Sequence, residues 1–364
     1  MRETGYYAEL LAQRDVPGEA LCVTVVAGLT VDEALVRFDG FPARRTATLR
    51  DLAEVARAAP FPYPRLACAV DVDGHIVLVE ENGFRGSRPE VLRRLSEGTS
   101  ATSVFWNVNF VNRLSYAENG RLVASVDWSY PGHGDGDDPE ELEPYLDGLG
   151  FGEDGDPRPK ALAFLQRCGG VRITREHLVD AHPASVLVPA DLFEPRGRLG
   201  SLLPGGADLV KLVGLPLRFE SVRSPLLRKA CRGAVEVAVD GLLPAEALTV
   251  DPSALTDADR ELRRAEALES ARRGYRRGVD DAWARYEVDG DGAGPVGGAA
   301  GESGSALVRA TFAHAVARGR LHAEPSTALT QVLVNAAKVD PDGTAARRER
   351  VHAHLSGFAA RSGE

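Results

Sequence analysis

The chain has 364 residues, 44% of them hydrophobic, and a formal net charge of −10. That is enough apolar material for a substantial core, and the length points to two domains. No stretch approaches the ~20 uninterrupted apolar residues of a bilayer-crossing helix, and the start, MRETGYYAELLAQRD, carries no positive-then-apolar leader. A cytoplasmic protein with no membrane contact is expected.

Charge is unevenly spread. Residues 1–200 hold 31 acidic and 21 basic side chains, whereas 201–364 hold 22 of each. An acidic surface repels phosphate backbones, which disfavours nucleic acid as a partner. Only Lys160, Lys211, Lys229 and Lys338 are lysines, and there is one methionine. This composition fits a GC-rich genome, so arginine abundance is no sign of nucleic-acid binding. Cys22, Cys68, Cys168 and Cys231 have no ligand spacing, and three sit in apolar runs. They read as buried thiols, with no disulfide and no zinc.

In chain order, Tyr6–Gln13 reads as a short helix and Leu21–Leu29 as a buried strand. Thr30 caps a helix over VDEALVRF, and a second helix spans Thr48–Ala59 and stops at Pro60. Leu66–Glu80 is a hairpin turning at Asp73-Gly74. Ser87-Arg88-Pro89-Glu90 reads as a capping box for the helix VLRRLSEG. The stretch Ser100–Ser129 alternates apolar and polar residues on either side of Asn119-Gly120, the strongest hairpin signal in the chain. On this pattern Val104, Trp106, Val108 and Phe110 face the core, with Phe105, Asn107 and Asn109 opposite. Pro159–Cys168 is helical, and VRITREHL with SVLVPADLF completes a first domain at about 1–200. Two hairpins with helices between them argue an α+β class, with an antiparallel or mixed sheet.

Beyond Gly200 helical period dominates, with Val235–Val239 as one candidate strand. A mostly helical segment covers 201–288. Within it Thr256 caps a long helix at 257–287, with Ala258, Leu262, Ala265, Leu268, Tyr275, Val279, Ala282 and Tyr286 on one stripe. Residues 289–304 read as a Gly-rich linker. A small bundle follows at 305–364, with helices at about 305–322, 326–338 and 344–361, the first two capped by Ser305 and Ser326.

Three segments carry a family likeness: ENGFRGSRPEVLRRLS from Glu81 to Ser96, the strand SVFWNVN, and DPEELEPYLDGLGF at Asp138–Phe151. Over roughly residues 6–180 the chain resembles an actinobacterial family of unknown function, the domain of unknown function numbered 6461. The likeness implies the first domain's extent and a high-GC source, and it implies no activity.

Candidate chemistry is sparse. Asn107 and Asn109, with Phe105 on the same face and Arg113 on the returning strand, form a polar set for a ligand or partner edge. Outward polar alternation on a half-buried sheet is the stronger reading of the same pattern. Arg85 and Arg88 flank a glycine-containing helix start suited to an anion, although Glu80 and Glu81 oppose one and no nucleotide fingerprint is present. The run from His133 through Asp135, Asp137 and Asp138, with Glu140 and Glu141 following, is dense in carboxylate oxygen ligands but fails the EF-hand pattern, so a solvated acidic loop is expected. His314 and His322, and His352 and His354, are spaced wrongly for one ion. No nucleophile elbow is present. Neither a metal nor a cofactor is expected.

Arg272, Arg273, Arg276 and Arg277 form two i,i+4 like-charge pairs on the long helix, and these need a neutraliser. The acidic loop at 135–143 is the first candidate, ahead of an acidic partner. Taken together, the sequence points to a non-catalytic, immunity-like or regulatory interaction protein whose acidic sheet domain binds another protein. The alternative is a small-molecule enzyme or sensor with its pocket at the Asn107/Asn109 face.

Overall fold

The computed structural model describes residues 3–58, 65–129, 134–187, 225–243, 248–288, 299–322 and 325–362. The chain divides into two compact units, one running to Leu187 and one holding the helices from Pro225 onward. Pro60, His133, the end of SVLVPADLF and most of the expected linker lie outside the described residues.

The first unit is built on a nine-stranded antiparallel sheet, and the fold is α+β as expected. In chain order its elements are α1 (Glu3–Leu11), β1 (Leu21–Ala27), α2 (Val31–Arg37), β2 (Arg45–Ala47), α3 (Leu49–Ala58), β3 (Arg65–Val72), β4 (His75–Glu81) and α4 (Pro89–Leu95). Then come β5 (Ser100–Trp106), β6 (Asn112–Glu118), β7 (Arg121–Val126), β8 (Gly134–Asp135), α5 (Glu143–Leu146), α6 (Arg158–Gly169), α7 (Arg175–Val179) and β9 (His182–Leu187). The strand order is β2-β9-β3-β4-β1-β5-β6-β7-β8. Chain neighbours pair through tight turns wherever the sequence allows them. Asp73-Gly74 and Asn119-Gly120 both take positive φ at both residues, the geometry that matches the twist of a two-residue hairpin. Thr30 closes a capping box with Glu33, and Thr48 makes the same reciprocal pair with Asp51.

Both faces of the sheet are covered. One face, carrying Val26, Ala69, Ile76, Leu78, Ala101 and Ala117, packs under α2 and α4 through Leu35, Phe38, Val91, Leu92 and Leu95. The other meets α6, where Gly169 lies against Val25 and Thr102 and Thr102 donates to Cys168 Sγ. Helix α1 docks on α6 through the fully buried Tyr7, whose hydroxyl donates to Gln166 Oε1 at 2.7 Å and accepts from the Ile173 amide. Burial raises the Tyr7 pKa well above the usual phenol value.

Covering both faces removes the simple alternation read from the sequence. Phe105 is 5% exposed and belongs to the core with Val104 and Trp106. Strand β5 ends at Trp106, so Val108 and Phe110 are not core residues but stand in the loop beyond it. Ser87 is not an N-cap either. It lies in a 3-10 turn, Arg85–Ser87, and its hydroxyl donates to Phe84 O; Arg88 occupies the cap position of α4.

The second unit contains α8 (Pro225–Val239), α9 (Asp257–Val288), α10 (Ala299–Arg320), α11 (Pro325–Val339) and α12 (Thr344–Ser362). Val235–Val239 is therefore helix, not strand: with Ala230, Ala234 and Ala238, Val235 and Val239 form its buried stripe. Helix α10 begins at Ala299, inside the expected linker and ahead of Ser305. The buried stripe of α9 starts late, at Arg264, Ala271, Tyr275, Val279 and Ala282, whereas Leu262 is 61% exposed. Gly274 lets α9 approach α10, since a Cβ there would stand 2.6 Å from Thr311 Oγ1.

Candidate functional site

Strands β5 and β6 stay paired up to Trp106 opposite Asn112, leaving Asn107–Val111 as the connection. Asn107 organises it. Its Oδ1 accepts from the Asn109 and Val111 amides at 2.9 and 3.1 Å, and its backbone N–H donates to Val111 O. This is how a short amide side chain replaces missing ladder bonds. Asn112 pins the far side, donating to Phe110 O and Ser129 Oγ while its Oδ1 accepts from the Trp128 amide. The loop is thus held from both ends.

What the loop presents is apolar. Val108 is 62% exposed, Val111 50% and Phe110 89%. Phe110 also takes φ of 59°, a left-handed conformation that costs a bulky residue roughly 1–2 kcal/mol relative to its ordinary states. An aromatic side chain held in a strained backbone state and pointed at water contributes nothing to the core.

The same end of the sheet carries the other sequence candidates. Phe105 faces Arg113 across the β5–β6 pair and packs against Phe84, ring centroids 6.3 Å apart. Phe84 is itself 48% exposed, with the Arg65 guanidinium 5.8 Å from its ring. Asn109 is exposed on the loop. Neither Asn107 nor Asn109 lies within a strand; both stand in the β5–β6 loop.

Arg85 and Arg88 do not form an anion site. Arg85 is buried, and its Nη1 donates to Asp39 Oδ2 at 2.8 Å; Arg88 pairs with Glu90. The acceptor held by this turn is internal: Glu80 Oε2 accepts from the Gly86 amide at 3.0 Å. Burial raises the Glu80 pKa, opposed by that amide and by Arg85. Beneath lies a row of hydroxyls: Thr24 donates to Ser103 (2.9 Å), and Ser115 and Ser125 share a bond of 2.9 Å. Burial and the neighbouring Glu80 push the Cys22 thiol far up, so it stays protonated and is no nucleophile. None of the four cysteines forms a disulfide among the described residues.

Asp135 sits on the edge strand β8, opposite Ser125, and Asp137 pairs with Arg121 at 3.1 Å. Both are exposed. Among the described residues no group of His, Cys, Asp and Glu is placed to hold a metal. On α9 two of the four arginines have acidic neighbours on the helix itself: Arg273 lies 3.7 Å from Glu269 and Arg276 3.8 Å from Asp280. Arg277 is exposed and Arg272 partly buried.

Sequence reasoning missed the exposure of Val108, Phe110, Val111 and Phe84. Five residues between two strands, headed by Asn and containing Asn109, was the signal for a loop rather than a continued strand.

No curated protein and no solved structure matches the chain. Residues 7–192 match the model of a family described as a family of unknown function (DUF6461). That span takes in every strand of the sheet and the β5–β6 loop, and it is half of the sequence; the chain belongs to this family.

Proposed function

We propose that this chain acts by binding another protein, with the β5–β6 loop as the contact. The observation that carries the reading is the exposure of Val108, Phe110 and Val111 on a loop fixed by Asn107 and Asn112. Clustered exposed apolar side chains mark interaction sites more often than accidents. A pinned loop loses little freedom on binding, and an aromatic anchor is the commonest source of interface energy. Phe84, packed at a tilt against Phe105 at the same end of the sheet, extends the apolar area, and Arg113 and Arg65 supply charged rims.

The buried Cys22 and the internally satisfied Glu80 and Arg85 favour a platform over a catalytic centre. Within this reading the protein is a regulatory, immunity-like component of an actinobacterial cytoplasm, and the sheet unit is its binding part. The test is capture of a stoichiometric partner by the tagged full chain, followed by native mass spectrometry. Phe110→Asp should abolish capture, while charge reversal at Asp135 and Asp137 should leave it intact. Equal capture by wild type and Phe110→Asp would reject the loop. A mass that doubles on Phe110-dependent association would identify a second copy of the chain as the partner.

A further inference from the structure

The helical unit contains a cleft of about 440 Å³ walled by α8, the segment Leu248–Pro252, the start of α9, the end of α10 and the start of α11. That lies inside the ~300–1,000 Å³ of small-molecule sites. Its frame is set by Arg320, which is 6% exposed. From the end of α10, Arg320 grips the Glu236 carboxylate with Nε and Nη2 at 3.0 Å each and donates through Nη1 to Val250 O at 2.8 Å. One guanidinium thus fixes three walls, and the Glu236 charge is consumed in doing so.

Two further cations line the cleft. Arg232 is exposed and makes no ion pair among the described residues. Arg260 donates through Nη2 to Leu255 O, but its buried Nε has no hydrogen-bond partner among the described residues. Among the described residues the carboxylate paired with it, Asp257, is 3.9 Å away and 96% exposed. A buried donor without an acceptor is costly unless a ligand or water supplies one. Beside these cations Val235, Leu248, Pro325 and Ala328 supply an apolar wall, while Thr249, His322 and the Asp251 carboxylate, which has a partner of its own, complete the lining.

From this arrangement we propose that the helical unit binds a small organic anion, its acidic group on Arg232 and Arg260 and its apolar body against Val235, Leu248 and Ala328. The site is separate from the sheet loop, and its occupancy does not depend on the protein-binding reading. The anion is a carboxylate, sulfonate or phosphate attached to an apolar skeleton.

The probe is 8-anilinonaphthalene-1-sulfonate, an apolar anion whose fluorescence rises on burial, titrated into the full chain. One saturable site is expected, and its affinity should fall about tenfold with Arg232→Glu, the loss of one charge-assisted contact. Ala328→Trp, which fills the cleft, should lower it at least as far while the helical circular dichroism is retained. The uncharged analogue N-phenyl-1-naphthylamine should bind more weakly than the sulfonate and be indifferent to Arg232→Glu. Absence of saturable binding would overturn the proposal. So would equal affinity for the two probes, or a signal that survives Arg232→Glu and vanishes with Phe110→Asp, which would place the probe on the sheet loop.

Discussion

Asp39 and Arg85 form a buried ion pair at 2.8 Å, and the aspartate reaches it from a left-handed backbone, φ 69°. The same carboxylate accepts from Arg94 Nη2 through its other oxygen at 2.5 Å. Asp39 follows α2, Arg85 opens the 3-10 turn and Arg94 ends α4, so one side chain joins the layer that roofs the sheet. Asp39→Ala takes the Asp39 carboxylate from Arg85, which is 5% exposed, and should cost about 3–5 kcal/mol. Asp39→Ala/Arg85→Met should recover at least half of that loss, because the buried charge goes too. Urea unfolding measures both. A single variant within 1 kcal/mol of wild type would mean that the pair is not structural.

Gly86 lies directly on the hydroxyl row. A Cβ there would overlap Thr24 Oγ1 and stand 2.9 Å from Cys22 Sγ and 3.2 Å from Ser103 Oγ. All three neighbours are buried on rigid strands, so the clash cannot be relieved by a swinging side chain. Gly86→Ala should destabilise by about 1–3 kcal/mol. Thr24→Ala removes the worst contact, so the double variant should be more stable than the sum of the single effects predicts. Strict additivity in the cycle would contradict this geometry.

Local signals in the sequence were readable where the backbone itself dictates the residue. Asn119-Gly120, Asp73-Gly74 and Thr30 each name a turn or cap by chemistry, and each is found. Periodicity misled where tertiary structure overrode it. Val235, Val237 and Val239 alternate like a strand, but Val235 and Val239 join Ala230, Ala234 and Ala238 in a helical stripe of α8. Phe105 was placed on an outward face because a half-solvated sheet was assumed; helices on both sides make each face a core. The cleft could not be seen at all, since Arg232, Arg260, Arg320 and Ala328 come from four helices spread over about a hundred residues.

Glu80 gives the sheet unit a pH dependence opposite to that of an ordinary surface carboxylate. Burial raises its folded pKa above the ordinary value of 4.5. The folded state therefore binds the proton more tightly than the unfolded state, and this group's contribution to stability falls as pH rises between the two values. Glu80→Gln keeps an acceptor for the Gly86 amide and removes the charge. The stability difference, variant minus wild type, should grow more positive from pH 5 to pH 8. A difference that is flat, or that declines with pH, would show that Arg85 holds Glu80 ionised throughout.

Phe110 sets stability against function. Its side chain is 89% exposed, so truncation removes almost no packing, and its φ of 59° is strained for a bulky residue but tolerated by asparagine. Phe110→Asn should therefore leave stability unchanged or raise it by about 0.5–1 kcal/mol. If the loop is the protein contact, the same variant should lose partner capture by about tenfold or more, the effect of deleting an aromatic anchor. Gain of stability with loss of binding is the signature of a residue kept for its partner rather than for the fold. Urea unfolding and capture on the same preparation decide it. A destabilised Phe110→Asn would show that the ring packs in solution, and a variant that still captures its partner would remove the loop from the interface.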